Sequence, residues 1–247
     1  MGGIVSFRGR KRELFRILGV AQILLWTVFA FLSREFAYGT VSEERPFHWL
    51  GAVTGLAFVC YLLTILPMRA AVPGVNAIRG REVILFAILM RLPLLLFSHP
   101  VQEIDFYRYL WDGRVLLSGV SPYHYSPAEI DALRDTRMRE EPGVTLPGEA
   151  ARLLAVQDNS VAVRTIFDRI DHRVVPTIYP VVSQVVFASA ALLTPESAAL
   201  AIHRIIIRAI ITGFDLGIVV LLLLLLKKLA LPAGLAVAYA WCPLVLK

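Results

Sequence analysis

Four long apolar segments occur along the chain. They cover residues 14–32, 49–66, 83–97 and 202–226, and strongly polar residues are rare in each. A helix needs about 20 consecutive apolar residues to cross a bilayer. The pattern therefore predicts four membrane-spanning helices. A further apolar stretch, 235–246, is too short to cross, and we interpret it as the truncated start of a fifth crossing in a longer protein.

The apolar segment 181–194 has two interpretations. It is short for a crossing, and it follows Pro176 and Pro180. If it crosses, Lys227 and Lys228 lie outside the cell, whereas a re-entrant or interfacial helix leaves them inside, where basic residues are enriched. We favour the re-entrant or interfacial helix. The predicted fold class is all-α integral membrane, a multi-helix bundle with a large extracytoplasmic loop between the third and fourth crossings.

Composition and charge agree with this topology. Apolar residues make up 57% of the chain and charged residues 18%, against about 25% charged in soluble domains, which argues against a purely soluble enzyme. Residues 99–177 hold twelve acidic and nine basic residues, net −3, whereas the rest of the chain carries +9. Acidic outside and basic inside fits a multi-pass protein of the inner (plasma) membrane. The overall charge of +6 therefore does not indicate a nucleic-acid partner.

These patterns divide the chain into three parts. Residues 1–98 hold three transmembrane helices, and residues 99–177 form an extracytoplasmic loop with an interfacial helix. Residues 178–247 hold the re-entrant helix, the fourth crossing and the truncated fifth crossing.

The residues best suited to chemistry follow the third crossing, in PVQEIDFYRYLWDGR over 100–114. A helix here places Asp105, Arg108 and Asp112 on one face. Its tyrosine and tryptophan side chains are typical of headgroup depth, so we expect an interfacial helix along the outer leaflet. The alternative is a purely structural helix whose acids pair with Arg108 and Arg114.

Glu103 and Asp105 form an E-x-D pair at this boundary. A carboxylate can take a proton from an attacking hydroxyl. Two carboxylates can instead share a divalent cation with a phosphate group, so Glu103 and Asp105 are also the candidate metal ligands. The sequence leaves the need for a cation open.

Several basic residues are candidates for the rest of a site. Arg204 and Arg208 lie one helical turn apart, where they could hold a phosphate or extend to lipid headgroups. His124, in the loop SPYHYSP, is a donor or base in one interpretation and structural in the other. An acid within an apolar helix is functional or paired, so Asp215 either pairs with Arg91 or faces a separate cavity.

Three blocks of sequence carry a resemblance to a known family. They are DFYRYLWDGR at 105–114, GVSPYHYSP at 119–127 and PTIYP at 176–180, in that order. They resemble bacterial polytopic glycosyltransferases of the C-type fold, in particular the mannosyltransferase-like members that use a polyprenyl-phosphate sugar. The final YAWCPLVLK at 239–247 resembles a later helix of the same proteins.

The resemblance implies an inverting hexosyltransferase whose active site lies on the extracytoplasmic face. The acid that activates the acceptor hydroxyl maps to Asp105, with Glu103 as the second acid, and the arginine that faces the lipid phosphate maps to Arg204. The predicted substrate-binding residues are Arg204, Arg208, Arg108, Tyr179 and His124. In this family a C-terminal half completes the sugar pocket, so this chain alone could lack activity.

The predicted partners are a polyprenyl-phosphate sugar donor, a glycan, lipid or protein acceptor, and membrane lipids. The alternative function is that of a non-enzymatic transporter or flippase-like subunit that handles lipid-linked sugars. A transporter is expected to show an internal repeat and charges in several crossings. A membrane scaffold is the third hypothesis, and it predicts that each acid of the loop is dispensable.

Overall fold

The computed structural model describes residues 2–40, 45–69, 78–101, 105–139 and 148–246, and the regular structure of these residues is helical. This confirms the all-α prediction for the described part of the chain. The helices, in chain order, are α1 (Gly2–Leu32), α2 (Phe47–Arg69), α3 (Gly80–Phe97), α4 (Phe106–Leu117), α5 (Pro127–Arg139), α6 (Gly148–Asp158), α7 (Val161–Asp168), α8 (Val181–Leu193), α9 (Leu200–Lys228), α10 (Val237–Ala240) and α11 (Pro243–Leu246).

Three helical segments of the described chain are long and apolar enough to cross a membrane. They are Arg12–Phe36, Phe47–Met68 and Leu200–Lys228, and they include three of the four predicted crossings. The remaining one, 83–97, lies in α3, which has 18 residues and includes three charged side chains. A helix of that length extends over about 27 Å, slightly less than the hydrocarbon core of a bilayer.

The chain forms two compact units. Unit 1 comprises Met1–Val101 and Ile211–Lys247, and unit 2 comprises Gln102–Ile210. Helix α8 and the first residues of α9 belong to unit 2. The division into three parts, with boundaries after residues 98 and 177, stays a prediction.

Aromatic side chains form the core of unit 1. The rings of Phe15 and Trp241 stack with centroids 4.6 Å apart, and Phe86 meets Phe15 edge-on at 5.4 Å. Gln22 of α1 donates from Nε2 to the carbonyl oxygen of Ala57 in α2 at 2.8 Å. These contacts connect α1, α2, α3 and the C-terminal segment through buried side chains.

A partly buried ion pair lies among the apolar helices of unit 1. The Nε of Arg91 donates to a carboxylate oxygen of Asp215, and the Tyr239 hydroxyl donates to the other oxygen at 2.8 Å. Arg91 also donates from Nη1 to the carbonyl oxygens of Ala87 and Ala240, both at 3.0 Å. Of the two alternatives left open for Asp215, the structure therefore has the pair with Arg91.

The C-terminal apolar stretch, 235–246, is not one continuous helix. A 3₁₀ helix at Ala233–Ala236 leads into α10, and α11 begins separately at Pro243. Proline lacks an N–H and disfavours helical backbone in the residue before it, so Pro243 interrupts the helix. Trp241, at the interruption, is fully buried in the core of unit 1. This differs from the predicted start of a fifth crossing.

Helices α4 to α8 build unit 2 around a second core. Trp111 of α4 packs edge-on against Phe167 of α7 with ring centroids 4.7 Å apart. Tyr107 and Trp111 are 3% and 2% exposed, so they do not lie at a surface. Helix α4 thus forms, but the helices around it bury it on most sides, and its position along the outer leaflet stays a prediction.

Helices α4 and α8 are in backbone contact at Gly113. A Cβ at this position would lie 2.2 Å from the carbonyl oxygen of Phe187, far inside van der Waals distance. Glycine is therefore required for the close approach, as it often is where two helices touch. This approach brings the polar residues of α4 close to those of α8 and of the loop before it.

Candidate functional site

The three sequence blocks that carry the resemblance converge on Tyr179. The hydroxyl of Tyr179 donates to Oδ2 of Asp105 at 2.8 Å. The hydroxyl of Tyr123 donates to the carbonyl oxygen of Tyr179 at 2.5 Å. Residues from 105–114, 119–127 and 176–180 thus meet within unit 2, although 56 and 74 positions separate the members of these two pairs.

Aromatic packing fixes the ring of Tyr179. Its centroid lies 4.8 Å from that of Tyr109, edge-on, and 5.8 Å from that of Phe187. Tyr109 and Phe187 are themselves stacked at 4.6 Å. Burial, together with hydrogen bonds to Tyr109 and Asp105, raises the pKa of Tyr179 above its usual range. The hydroxyl therefore keeps its proton at neutral pH and can serve as a donor.

Asp105 is half-buried and immediately precedes α4. The positive end of the helix dipole favours a carboxylate at this position. Arg108, one turn later, adds positive charge nearby, and the Asp105 carboxylate acts to raise the pKa of its guanidinium. The site thus combines a partly accessible carboxylate with a fixed hydroxyl donor on one of its oxygens.

Arg108 holds the loop that leads to Tyr179. It is buried, and its Nη2 donates to the carbonyl oxygens of Asp171 and His172 at 3.2 and 3.1 Å. His172 has a φ of 50°, a left-handed conformation that is costly for a non-glycine residue. Burial lowers the pKa of Arg108, and the nearby Asp112 and Asp105 partly offset that effect. Arg108 therefore stabilises a strained turn, and its predicted contact with substrate stays a prediction.

Asp112 is more deeply buried than Asp105 and has different partners from those expected. Gln184 of α8 donates from Nε2 to Oδ2 of Asp112 at 3.3 Å. Burial raises the pKa of Asp112 to about 6, although hydrogen bonds from Thr177 and Gln184 and the charge of Arg108 lower it. The expected structural pairing of Asp112 with Arg108 or Arg114 is thus replaced by contacts with uncharged side chains.

Arg114 belongs to a separate buried cluster in unit 2. Its Nη2 donates to Nδ1 of His203 at 3.0 Å, and its Nη1 lies 3.4 Å from a carboxylate oxygen of Glu196. The Nε2 of His203 in turn donates to the carbonyl oxygen of Ala198 at 3.2 Å. Arg114 thereby connects α4 to α9 and the segment before it.

The other predicted site residues of the described chain lie in the loop after α4 and on α9. His124 is exposed, and its Nδ1 lies 3.4 Å from a carboxylate oxygen of Glu149. Arg204 and Arg208 are half-buried, one turn apart on α9. Glu103 lies outside the described residues.

The described residues contain no group of three or more His, Cys, Asp or Glu side chains that could hold a metal ion. The pair proposed for a cation, Glu103 and Asp105, includes a residue outside that part of the chain. A cation shared by these two acids therefore stays a prediction.

Sequence analysis missed Thr177, Gln184 and Gly113 as parts of the site. Thr177 and Gln184 are ordinary polar residues in an apolar region, and their partner on α4 is more than 60 positions away. A polar residue within the otherwise apolar segment 181–194 is the signal that could have identified Gln184, because buried amides require partners.

No protein family, no curated protein and no solved structure matches this chain in comparisons of sequence and fold. The functional assignment therefore rests on the geometry of the site and on the resemblance of the three sequence blocks.

Proposed function

We propose that this chain belongs to a membrane glycosyltransferase that moves a sugar from a polyprenyl-phosphate carrier to an acceptor hydroxyl. The observation that carries the proposal is the hydrogen bond between Tyr179 and Asp105. It joins the first and third sequence blocks, which resemble the same family, in one site of unit 2. Tyr123, from the second block, binds the backbone of Tyr179 and completes the group.

The proposed location is the plasma membrane, with unit 2 on the extracytoplasmic face. Three described helices have the length and composition of membrane crossings, which supports membrane association. The excess of acidic residues in 99–177 and of basic residues elsewhere supports the orientation. A donor anchored in lipid would reach unit 2 laterally, while a water-borne acceptor would approach from outside.

In the proposed reaction Asp105 is the general base. The acceptor oxygen forms a bond to the anomeric carbon as the bond from that carbon to the phosphate oxygen breaks. The phosphate leaves with the bonding electron pair, and the acceptor proton goes to Asp105. Attack from the face opposite the leaving group inverts the configuration of the anomeric carbon.

Tyr179 and the arginines have supporting roles in this proposal. The Tyr179 hydroxyl donates a hydrogen bond to Oδ2 of Asp105. This bond leaves Oδ1 of the same carboxylate to accept the proton of the acceptor hydroxyl. Arg204 and Arg208 are the proposed partners of the leaving phosphate, since guanidinium groups bind phosphate through paired hydrogen bonds. Arg108 contributes charge and holds the loop, and its Nη2 hydrogens are already bound to backbone carbonyls.

The test is sugar transfer by the whole protein, reconstituted in vesicles that contain a polyprenyl-phosphate hexose and a hydroxyl acceptor. We expect Asp105→Asn to lower the rate by about 10²–10⁴-fold, because asparagine keeps the shape of the side chain but cannot take the proton. Membrane insertion and thermal stability should change little. Asp168→Asn, an exposed acid of the same unit, is the matched control and should leave the rate unchanged.

Tyr179→Phe adds a graded comparison. It keeps the aromatic packing and removes only the hydrogen bond to Asp105, so we expect a smaller loss than for Asp105→Asn. Equal rates for Asp105→Asn and Asp168→Asn would refute the role of Asp105 as the base.

A further inference from the structure

Three buried polar side chains connect α4 to the loop that carries Tyr179. Asp112, Thr177 and Gln184 are only 2%, 6% and 2% exposed. They come from α4, from the loop before α8 and from α8 itself. Burying an aspartate, a threonine and a glutamine is costly unless their polar atoms satisfy one another.

The hydrogen bonds of this network converge on the hydroxyl of Thr177. Nε2 of Gln184 donates to Oγ1 of Thr177 at 3.0 Å and to Oδ2 of Asp112 at 3.3 Å. The backbone N–H of Tyr179 also donates to Oγ1 of Thr177, at 3.4 Å. The Thr177 hydroxyl also faces the Asp112 carboxylate and lowers its pKa. Gln184 thus connects Asp112 to Thr177 Oγ1, which in turn holds the backbone of Tyr179.

We infer that Asp112 is a positioning residue for the candidate site. Its ionised carboxylate orients the Thr177 hydroxyl, Thr177 holds the backbone of Tyr179, and Tyr179 thereby places its own hydroxyl on Asp105. The effect on catalysis rests on the proposed function, whereas the effect on Tyr179 does not.

Protonation of Asp112 would rearrange the network. A protonated carboxyl donates a hydrogen bond, and Thr177 Oγ1 would then face three donors with two lone pairs, so one donor must leave. Gln184 Oε1 is buried and has no hydrogen-bond partner among the described residues. Rotation of the Gln184 amide would offer this oxygen to the new donor. The network therefore has two arrangements, and only the ionised one uses every bond that now holds Tyr179.

The surroundings of Asp112 place this change in an accessible pH range. Burial raises the pKa of Asp112 to about 6. The charged group that acts on it is Arg108, from the same helix, which opposes the rise. Helix α8 has no ionisable side chain, and the loop contributes the neutral hydroxyl of Thr177. The ordered arrangement is thus present above about pH 6 and is lost as the pH falls through that value.

The experiment follows Tyr179 directly by ¹⁹F NMR. The whole protein is prepared with 3-fluorotyrosine in lipid nanodiscs, and Tyr179→Phe identifies the resonance. Between pH 4.5 and 7.5 we expect this resonance to shift with a midpoint near 6. Asp112→Asn should abolish the shift. Thr177→Val should abolish the shift as well, since it removes the oxygen that connects the Asp112 network to the backbone of Tyr179.

Controls separate this inference from the proposed function. Asp168→Asn should leave the midpoint unchanged. The NMR signal does not depend on transfer, so an inactive wild-type protein with the expected titration would refute only the proposed function. If the wild-type Tyr179 resonance fails to titrate near pH 6, the positioning role is refuted.

The positioning role is also refuted if the Tyr179 resonance of Asp112→Asn titrates with the wild-type midpoint. Where Asp112→Asn does not fold, a Thr177→Val protein whose Tyr179 resonance titrates as in the wild type refutes the positioning role instead. In an active protein, the pH profile of transfer should show the same inflection in the wild type and lose it in Asp112→Asn.

Discussion

Replacement of Gly113 by alanine tests the contact on which the candidate site depends. The added Cβ would lie 2.2 Å from the carbonyl oxygen of Phe187 and 2.5 Å from its carbonyl carbon. Ordinary contacts of this kind are about 3.5 Å, so α8 would have to retreat by more than about 1 Å. The obstacle is backbone on both sides, and no side-chain rotation can relieve it.

The magnitude follows from what the retreat would disrupt. Tyr109 and Phe187 stack across this interface at 4.6 Å, and Gln184 reaches Asp112 across it. Overpacking of a well-packed interface costs about 1–3 kcal/mol, and we expect about 2–3 kcal/mol here because the clash involves backbone. For a chain of this size each kcal/mol corresponds to about 2–4 °C, which gives a fall in Tm of about 4–12 °C.

Thermal unfolding of the protein in nanodiscs, followed by tryptophan fluorescence, measures this effect. The matched control is Gly213→Ala, also within a helix, where the added Cβ meets nothing within 4 Å. Alanine favours helix over glycine by about 0.5–1 kcal/mol, so the control should be unchanged or slightly more stable. If Gly113→Ala melts together with the wild type, α4 and α8 are not in backbone contact and the geometry of the site is wrong.

Two further predictions concern the membrane part of the chain. Arg91→Met and Asp215→Leu should each destabilise the protein by about 3–5 kcal/mol in nanodisc thermal unfolding, because each leaves the charge of its partner unpaired. The double variant should recover much of this loss. Strictly additive losses would show that the pair is not formed. In a background without the native cysteines, Lys227→Cys should react with a membrane-impermeant thiol reagent only from the cytoplasmic side, and Asp168→Cys only from outside. Labelling of both positions from the same side would contradict the proposed topology.

The apolar segments of the chain were sufficient to predict its long helices and α8. Segments 14–32, 49–66 and 202–226 each lie within a helix that could cross a membrane, and segment 181–194 corresponds to α8. Local sequence suffices here because the length and hydrophobicity of a segment are properties of neighbouring residues. The pair between Arg91 and Asp215 could also be predicted from the sequence, since a charge in an apolar helix requires a partner.

The burial of α4 by other helices could not be predicted from local sequence. Its tyrosine and tryptophan residues are equally typical of a membrane interface and of a protein core, and periodicity does not distinguish the two. The choice depends on α7 and α8, which cover α4 with Phe167 and Phe187. Both contacts join positions more than 50 residues apart, so the pattern of α4 alone contains no information about them.

Three ionisable residues of α4 are buried in unit 2. Arg108, Asp112 and Arg114 are all less than 8% exposed, and each has a different set of partners. Arg108 binds backbone carbonyls of a strained turn, Asp112 binds uncharged side chains, and Arg114 reaches a histidine and a glutamate.

Well-packed apolar side chains in such positions are often as stabilising as buried charges, or more so. Stability alone therefore does not account for three ionisable residues on one turn and a half of a buried helix. Two of the three share one property: Arg108, through the turn at His172, and Asp112, through Gln184 and Thr177, both hold the backbone that leads to Tyr179. That arrangement is expected if the position of Tyr179 beside Asp105 is what the charges of α4 maintain.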